Sequence, residues 1–368
     1  MTEDALKVRT AALKAAMQAQ KVEVLVLFGN NWHADHLRYA TDFGIQEGQG
    51  IALVRDDGSL TLILDDPAEC DRARMEIQGE VVFAPRLVQE AKQQLLRAGN
   101  HMIAAAPYHL LPYGLLHGEA DLRVHDGASI IEHLLMTKME AEIALVRQAA
   151  RLADEGYAIF RDAARPGRKD YELVAEMESF FRAQGVPENF MIVGVGGREV
   201  RGMAPPGGKI LKPGDMVTTE LTPCYQGYYA QICRTLVVGE PNEAQKKAFA
   251  IYLESMKAGI ASVRAGVTAA DVAKAENDVF RKYGLGDYVT SEYTRVRGHG
   301  MGLFPDQKPQ ILEDVQIRLE TGMTLIVHPN TYHPEVGYLV LGDSLVVRDD
   351  GHELLCGTQR QLFSTPLM

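Results

Sequence analysis

The stretch Gly214–Gly239, GDMVTTELTPCYQGYYAQICRTLVVG, decides the fold. β-Branched and aromatic residues run on both sides of Pro223 and Gly227. They predict two strands, Met216–Thr222 and Tyr229–Val238, joined by a tight turn at Tyr225-Gln226-Gly227. Strand pairing brings Glu220 near Gln231, both able to face one cavity. Two further strand-like segments carry histidines: Arg297-Gly298-His299-Gly300, and Met323–Pro329 with His328 near its end. If the four segments converge, one pocket holds a carboxylate, two imidazoles and an amide. That set suits metal binding or acid–base chemistry, so Glu220, His299, His328 and Gln231 are the candidate catalytic residues.

Downstream of the hairpin, Phe249, Leu253, Met256, Ile260 and Val263 recur at helical spacing within Glu243–Val263, a stripe suited to core packing. Ala270–Tyr283 is another helix, and the chain to Leu355 is mostly strand. Upstream lie a strand at Met191–Val195, a helix at Asp170–Gln184 and a long helix at Met139–Phe160, whose Leu145, Ala149 and Leu152 mark a buried face. Before that helix, strands alternate with helices: VEVLVLF at Val22–Phe28, a hairpin over Gly50–Asp65 turning at Asp56-Asp57-Gly58, a helix at Asp66–Gly79, a strand at Glu80–Ala84 and a helix at Arg86–Ala98. Short strands follow at Met102–Ala106 and Leu122–Val124. The pattern predicts an α/β domain over 1–135 and a second domain over 136–368. The cluster Gly194-Val195-Gly196-Gly197 lacks the spacing of a dinucleotide-binding loop and predicts a turn with positive φ.

A length of 368 residues favours two domains. The formal net charge of -11, without a long basic run, argues against nucleic acid and anionic membrane as partners. No apolar run reaches the roughly 18 residues of a membrane span. The segment MTEDALKVRTAALKAAMQAQ is a charged amphipathic helix, unlike a signal peptide. Cys70, Cys224, Cys233 and Cys356 are scattered without a CxxC pair, which suits a reduced, cytoplasmic protein. Cys224 and Cys233 read as small buried apolar side chains.

Several motifs together carry a resemblance: ATDF at Ala40–Phe43, MTKMEAEIALVRQAARLAD, KPGD before the hairpin and RTLVVG after it, GHGMGL, TGMTLIV-P, and SLVVRDDG near the end. The chain resembles the pita-bread family of creatinase, prolidase, aminopeptidase P and methionine aminopeptidase over essentially its whole length. The resemblance implies a ribonuclease-H-like N-terminal α/β domain and an α+β C-terminal domain whose helices cover a curved antiparallel sheet. It also implies a homodimer in which the neighbour's N-terminal domain lines each site. The family's peptidases hold two metals with two Asp, one His and two Glu. By position these fall on Glu220, Gln231, His299, His328 and Gly342, and a further catalytic histidine falls on Met203. Both bridging carboxylates are thus replaced, and two cations a few ångströms apart need such anions. The expectation is therefore that aminopeptidase and prolidase activity is absent and that no dinuclear site is present.

Two readings of the pocket stay open. In one, as in creatinase, Glu220, His299 and His328 supply acid and base without metal. In the other, the same three hold a single Fe, Mn or Zn ion, with Gln231 adding a weak oxygen ligand. A third possibility is a catalytically dead site whose histidines only satisfy buried carbonyls. Asn30-Asn31-Trp32-His33-Ala34-Asp35-His36 reads as a surface loop. In the resemblance this loop and Ile45–Gln49 reach the neighbour's site, with Glu47 repelling a carboxylate. Trp32, Glu47, Met203 and His333 are the candidate substrate-binding residues, although solvent is the readier place for His333. Arg234 reads as structural, and Asp343 should point away from the site. The expected activity is creatinase-like hydrolysis of a C–N bond (amide, amidine, lactam or ring-opening) in a small non-peptide compound. The alternatives are a mononuclear non-haem iron oxygenase or lyase and a non-catalytic binding member.

Overall fold

The structure, a computed structural model, describes residues 3–99, 102–117 and 122–367; Met1, Thr2 and Met368, which the two predicted domains include, lie outside these. The chain divides into two compact units, Met1–Leu135 and Met136–Met368. The first runs α1 (Glu3–Ala19), β1 (Val24–Asn30), α2 (Asp35–Thr41), β2 (Gln49–Arg55), β3 (Leu60–Leu64), α3 (Pro67–Glu76), β4 (Glu80–Phe83), α4 (Leu87–Ala98), β5 (Ile103–Ala106), α5 (Tyr113–Leu116), β6 (Val124–Asp126) and α6 (Ala128–Met136). Its strands form one sheet in the order β4-β3-β2-β1-β5-β6. The all-apolar start of β1, VLVLF, is buried throughout because the strand lies inside the sheet. Gly58 turns the β2–β3 hairpin at a φ of 92°, which glycine adopts without strain. One reading of the sequence is corrected here. Asp35 and His36, expected at the end of a surface loop, instead open the helix Asp35–Thr41, which buries His36, Leu37, Tyr39 and Thr41.

The second unit runs α7 (Glu140–Ala163), α8 (Asp170–Ala183), β7 (Asn189–Gly196), β8 (Met216–Tyr225), β9 (Tyr228–Tyr229), β10 (Ile232–Val238), α9 (Glu243–Ser262), α10 (Ala269–Lys282), β11 (Gly298–Gly300), β12 (Gln307–Gln310), β13 (Thr324–Val327), β14 (Thr331–His333), β15 (Gly337–Leu339), β16 (Gly342–Arg348), β17 (Gly351–Leu354) and β18 (Phe363–Thr365). Its main sheet has the order β12-β11-β13-β16-β10-β8-β7, antiparallel along that path. The predicted hairpin turns at Gln226 and Gly227, with φ of 48° and 86°, the pair of positive values that suits right-twisted strands. Pro223, Cys224 and Tyr225 continue β8 further than the sequence pattern alone implies.

Helices cover this sheet through two apolar cores. Leu152, Tyr157 and Phe160 of α7 and Leu173, Met177 and Phe181 of α8 pack with Val217, Leu221, Ile232 and Leu236 of β8 and β10. Phe249, Met256 and Ile260 of α9, with Val263, pack with Val272 and Phe280 of α10 and with Leu325, Val327 and Leu345 of the sheet. Leu253, expected in that stripe, is only partly buried at its edge. The helix α9 starts at Asn242, whose side chain accepts from the Gln245 N–H at 2.9 Å while Gln245 Oε1 accepts from the Asn242 N–H at 2.9 Å. This reciprocal box satisfies two of the otherwise unpaired donors of the first turn.

Candidate active site

Five neighbouring strands bring the site together. Glu220 sits on β8 with Cys233 of β10 opposite it, Gly342 of β16 lies opposite Cys233, His328 follows β13, and His299 is the centre of β11. Gln231 enters β10 two residues before Cys233, so alternation puts it on the Glu220 side. The glycines flanking His299 are required by close strand approach. A Cβ on Gly298 would lie 2.2 Å from the Ile326 carbonyl oxygen, and one on Gly300 would lie 2.1 Å from that of Lys308. His328 is fixed through its backbone, its N–H donating to the Arg297 carbonyl at 2.9 Å.

These side chains line one cavity of about 670 Å³, a volume suited to a small-molecule ligand. Glu220, Gln231, His299, His328 and Met203 are all in its wall, together with Asn330, Asp306, Arg201, Tyr293 and Tyr338. Burial pushes the Glu220 carboxyl up to about 7, against a hydrogen bond that Asn330 Nδ2 donates to its Oε1 at 2.7 Å. Burial likewise lowers the His299 imidazole, with Asp306 opposing. It lowers that of His328 well below the usual range, and the neighbouring His299 adds to the effect. The two rings stand edge to face with centroids 5.5 Å apart. His299 Nδ1 lies 2.9 Å from the Gly300 carbonyl, so it carries the hydrogen and Nε2 is left as an acceptor. Gln231 Oε1 and His328 Nδ1 are buried and find no hydrogen-bond partner among the described residues.

Other predicted residues lie elsewhere. His333, offered as substrate-binding or solvent-exposed, is buried in β14 beside Tyr252 and is absent from the cavity wall. The β14–β15 pairing turns it inward, a tertiary contact that its distance from His328 in sequence does not convey. Trp32 and Glu47 are exposed residues of the first unit. Arg234 and Asp343 form a buried pair at 2.7 Å, away from the cavity wall. The sequence reading passed over Asn330, Asp306, Arg201 and Tyr338. Asn330 had a readable signal, standing two residues beyond His328 in HPN.

Whether the cavity suits a metal pair turns on the donors in its wall. Position 342 offers no side chain, Gln231 offers a neutral amide, burial pushes the Glu220 carboxyl up to about 7, and Asp306, 3.8 Å from His299 Nδ1, is paired with Arg295. This set does not fit two adjacent divalent cations, which need anionic bridges. Among the described residues no group of three His, Cys, Asp or Glu side chains is arranged to hold a metal ion.

Residues 144–349 match the model of metallopeptidase family M24, and residues 9–118 match that of the creatinase/prolidase N-terminal domain. A Xaa-Pro dipeptidase of Pyrococcus horikoshii is 29% identical over 258 residues, 68% of this chain and 72% of that protein. The solved Xaa-Pro dipeptidase of Bacillus anthracis has a TM-score of 0.85 at 25% identity, covering 98% of this chain and 100% of that one. The prolidase structure from Pyrococcus horikoshii OT3 has a TM-score of 0.86 at 24% identity, covering 96% and 99%, and speaks to the fold. The two-domain pita-bread fold expected from the motifs is the fold shared with these proteins. Two expectations are overturned. The reaction was expected to be creatinase-like, on a non-peptide compound, whereas these relatives are named Xaa-Pro dipeptidases. The cofactor was expected to be none or one ion, whereas the matching family is one of metallopeptidases. Both expectations weighed a handful of ligand positions against a similarity that runs through the whole domain. Among the described residues no helix is long and apolar enough to cross a membrane.

Proposed function

Since the chain belongs to metallopeptidase family M24, we propose that it is a hydrolase that cleaves the amide bond of a small dipeptide-like substrate in the cavity around Glu220. The observation that carries this reading is a carboxyl brought to about 7, beside two imidazoles, inside a ligand-sized cavity. A group poised near the working pH can both take and return a proton. The names of the relatives supply the substrate class.

The chain's own residues suffice for proton movement. Glu220 in its carboxylate form takes a proton from water, and the water oxygen adds to the amide carbonyl carbon. His299 Nε2, left as an acceptor by the Gly300 contact, orients that water. The Glu220 carboxylic acid then passes its proton to the departing nitrogen as the C–N bond breaks, giving a carboxylic acid and an amine. A panel of Xaa-Pro and other dipeptides, assayed as purified and with Mn(II), Co(II) or Zn(II) supplied, tests the reading. At least one dipeptide should turn over, and Glu220→Gln should lower the rate by about 100-fold or more. No turnover of any dipeptide under any of these conditions overturns it.

A further inference from the structure

One cation in the cavity wall is held ready and unused. The Arg201 guanidinium carbon lies 5.4 Å from the ring centroids of both Tyr293 and Tyr332. Those rings stack on each other at 5.9 Å and an interplanar angle of 23°, and Tyr288 packs on both at 5.0 and 5.9 Å. The loop that carries Arg201 is fastened to the β14–β15 hairpin. Tyr332 Oη donates to the Arg198 carbonyl at 3.0 Å, and the Tyr338 N–H donates to the Val200 carbonyl at 2.8 Å. Gly337 is pressed so close that a Cβ there would lie 2.1 Å from the Gly197 oxygen.

The other arginine of the wall, Arg295, is paired with Asp306. Among the described residues no carboxylate is within ion-pairing distance of Arg201. Aromatic faces hold a guanidinium by its plane and leave its N–H edge free for a planar anion, and a fixed donor fork loses little entropy on binding. We propose that Arg201 binds the free C-terminal carboxylate of the substrate, so that the enzyme selects small amides bearing an unblocked carboxylate. This rests on the reading that the cleaved amide lies at Glu220.

Binding is measured by calorimetry on the full chain carrying Glu220→Gln, with a Xaa-Pro dipeptide and its C-terminal carboxamide as probes, while turnover of the same two compounds is followed on the chain without that change. The carboxylate should bind about ten- to hundred-fold more tightly than the carboxamide, the range of a charge-assisted bidentate contact. Adding Arg201→Gln should erase the difference, and Arg201→Lys should restore part of it, since lysine keeps the charge and loses the fork. Equal binding of the two probes, or a preference that survives Arg201→Gln, overturns the assignment. A preference that depends on Arg201, without turnover, keeps the assignment and sinks the hydrolase reading. Turnover without the preference does the reverse, and binding of neither probe overturns both.

Discussion

A Cβ built on Gly342 would lie 2.6 Å from the Cβ of His328, so the histidine occupies the room that a side chain at position 342 would need. The two positions face each other across β13 and β16, beside Cys233 of β10. A side chain at 328 therefore requires a bare backbone at 342.

Gly342→Ala should consequently destabilise the protein by about 1–3 kcal/mol, the usual cost of forcing an extra methyl into a filled site. In a His328→Gly background the same change should cost clearly less. Relief will be partial, because Val327 O and the Cys233 Cβ would still stand 3.1 and 3.2 Å from the new methyl. A double-mutant cycle by urea unfolding reads the coupling, and strictly additive costs would refute the pairing.

The Arg234–Asp343 pair is buried to 0% and 1% side-chain exposure. Arg234 Nη1 also donates to the carbonyls of Cys233 and Gly342 at 2.9 and 2.8 Å, and Arg360 meets the other oxygen of Asp343 at 2.6 Å. Asp343→Ala should cost about 3–5 kcal/mol in unfolding free energy, since it strands a buried guanidinium. A loss below about 1 kcal/mol would mean that the pair is not holding β10 to β16.

Much of this was legible in the sequence because local pattern and tertiary context agree. The β-branched run around Pro223 and Gly227 specifies its hairpin, and the spacing of Phe249, Met256 and Ile260 specifies a buried helix face. What escaped depends on contacts made far along the chain. Asp35–Thr41 is only seven residues long and follows Asn30-Asn31, so its turn signals outweigh its helical ones until it packs on β1. Arg201 stands in a glycine- and proline-rich loop, where nothing nearby in sequence foretells tyrosines at 293 and 332. His333 was placed by its nearness to His328, yet its strand pairing turns it toward Tyr252. Asn330 follows the same histidine at closer range and does reach the site. In the cavity the residue types could be read, but the proton affinity of Glu220 could not, because burial sets it.

That affinity makes a two-sided prediction for Glu220→Gln. The folded carboxyl is raised from 4.5 to about 7, so the folded state binds this proton more tightly than the unfolded state. Keeping Glu220 therefore costs nothing at pH 4. The cost grows as the pH rises from about 4.5 to about 7 and is complete above that. The glutamine variant should match the parent in stability at pH 4 and exceed it at pH 8 by at most about 3 kcal/mol, while losing activity. Denaturant unfolding at the two pH values measures this, and a variant less stable at pH 8 would show that Glu220 is held as a stabilised anion.

Asn330 gives the companion test, because its Nδ2 donates to Glu220 Oε1 at 2.7 Å and so favours the ionised form against burial. If Glu220 must start as a carboxylate, the rate should rise with pH through about 7 in the parent enzyme. Removing the donor with Asn330→Ala should move that acidic limb upward by about one pH unit. Asn330→Asp keeps an oxygen to accept from the Leu341 N–H, now at 3.1 Å from Asn330 Oδ1, while placing a second carboxyl against Glu220. Like charges cannot both ionise cheaply at that distance, so this variant should move the limb further than alanine does. The ordered series of parent, alanine and aspartate, read from kcat/KM between pH 5 and 9, ties the limb to Glu220. A limb that stays fixed in both variants would assign it to some other group, and a downward shift with aspartate would mean that the new carboxyl itself has taken over as the base.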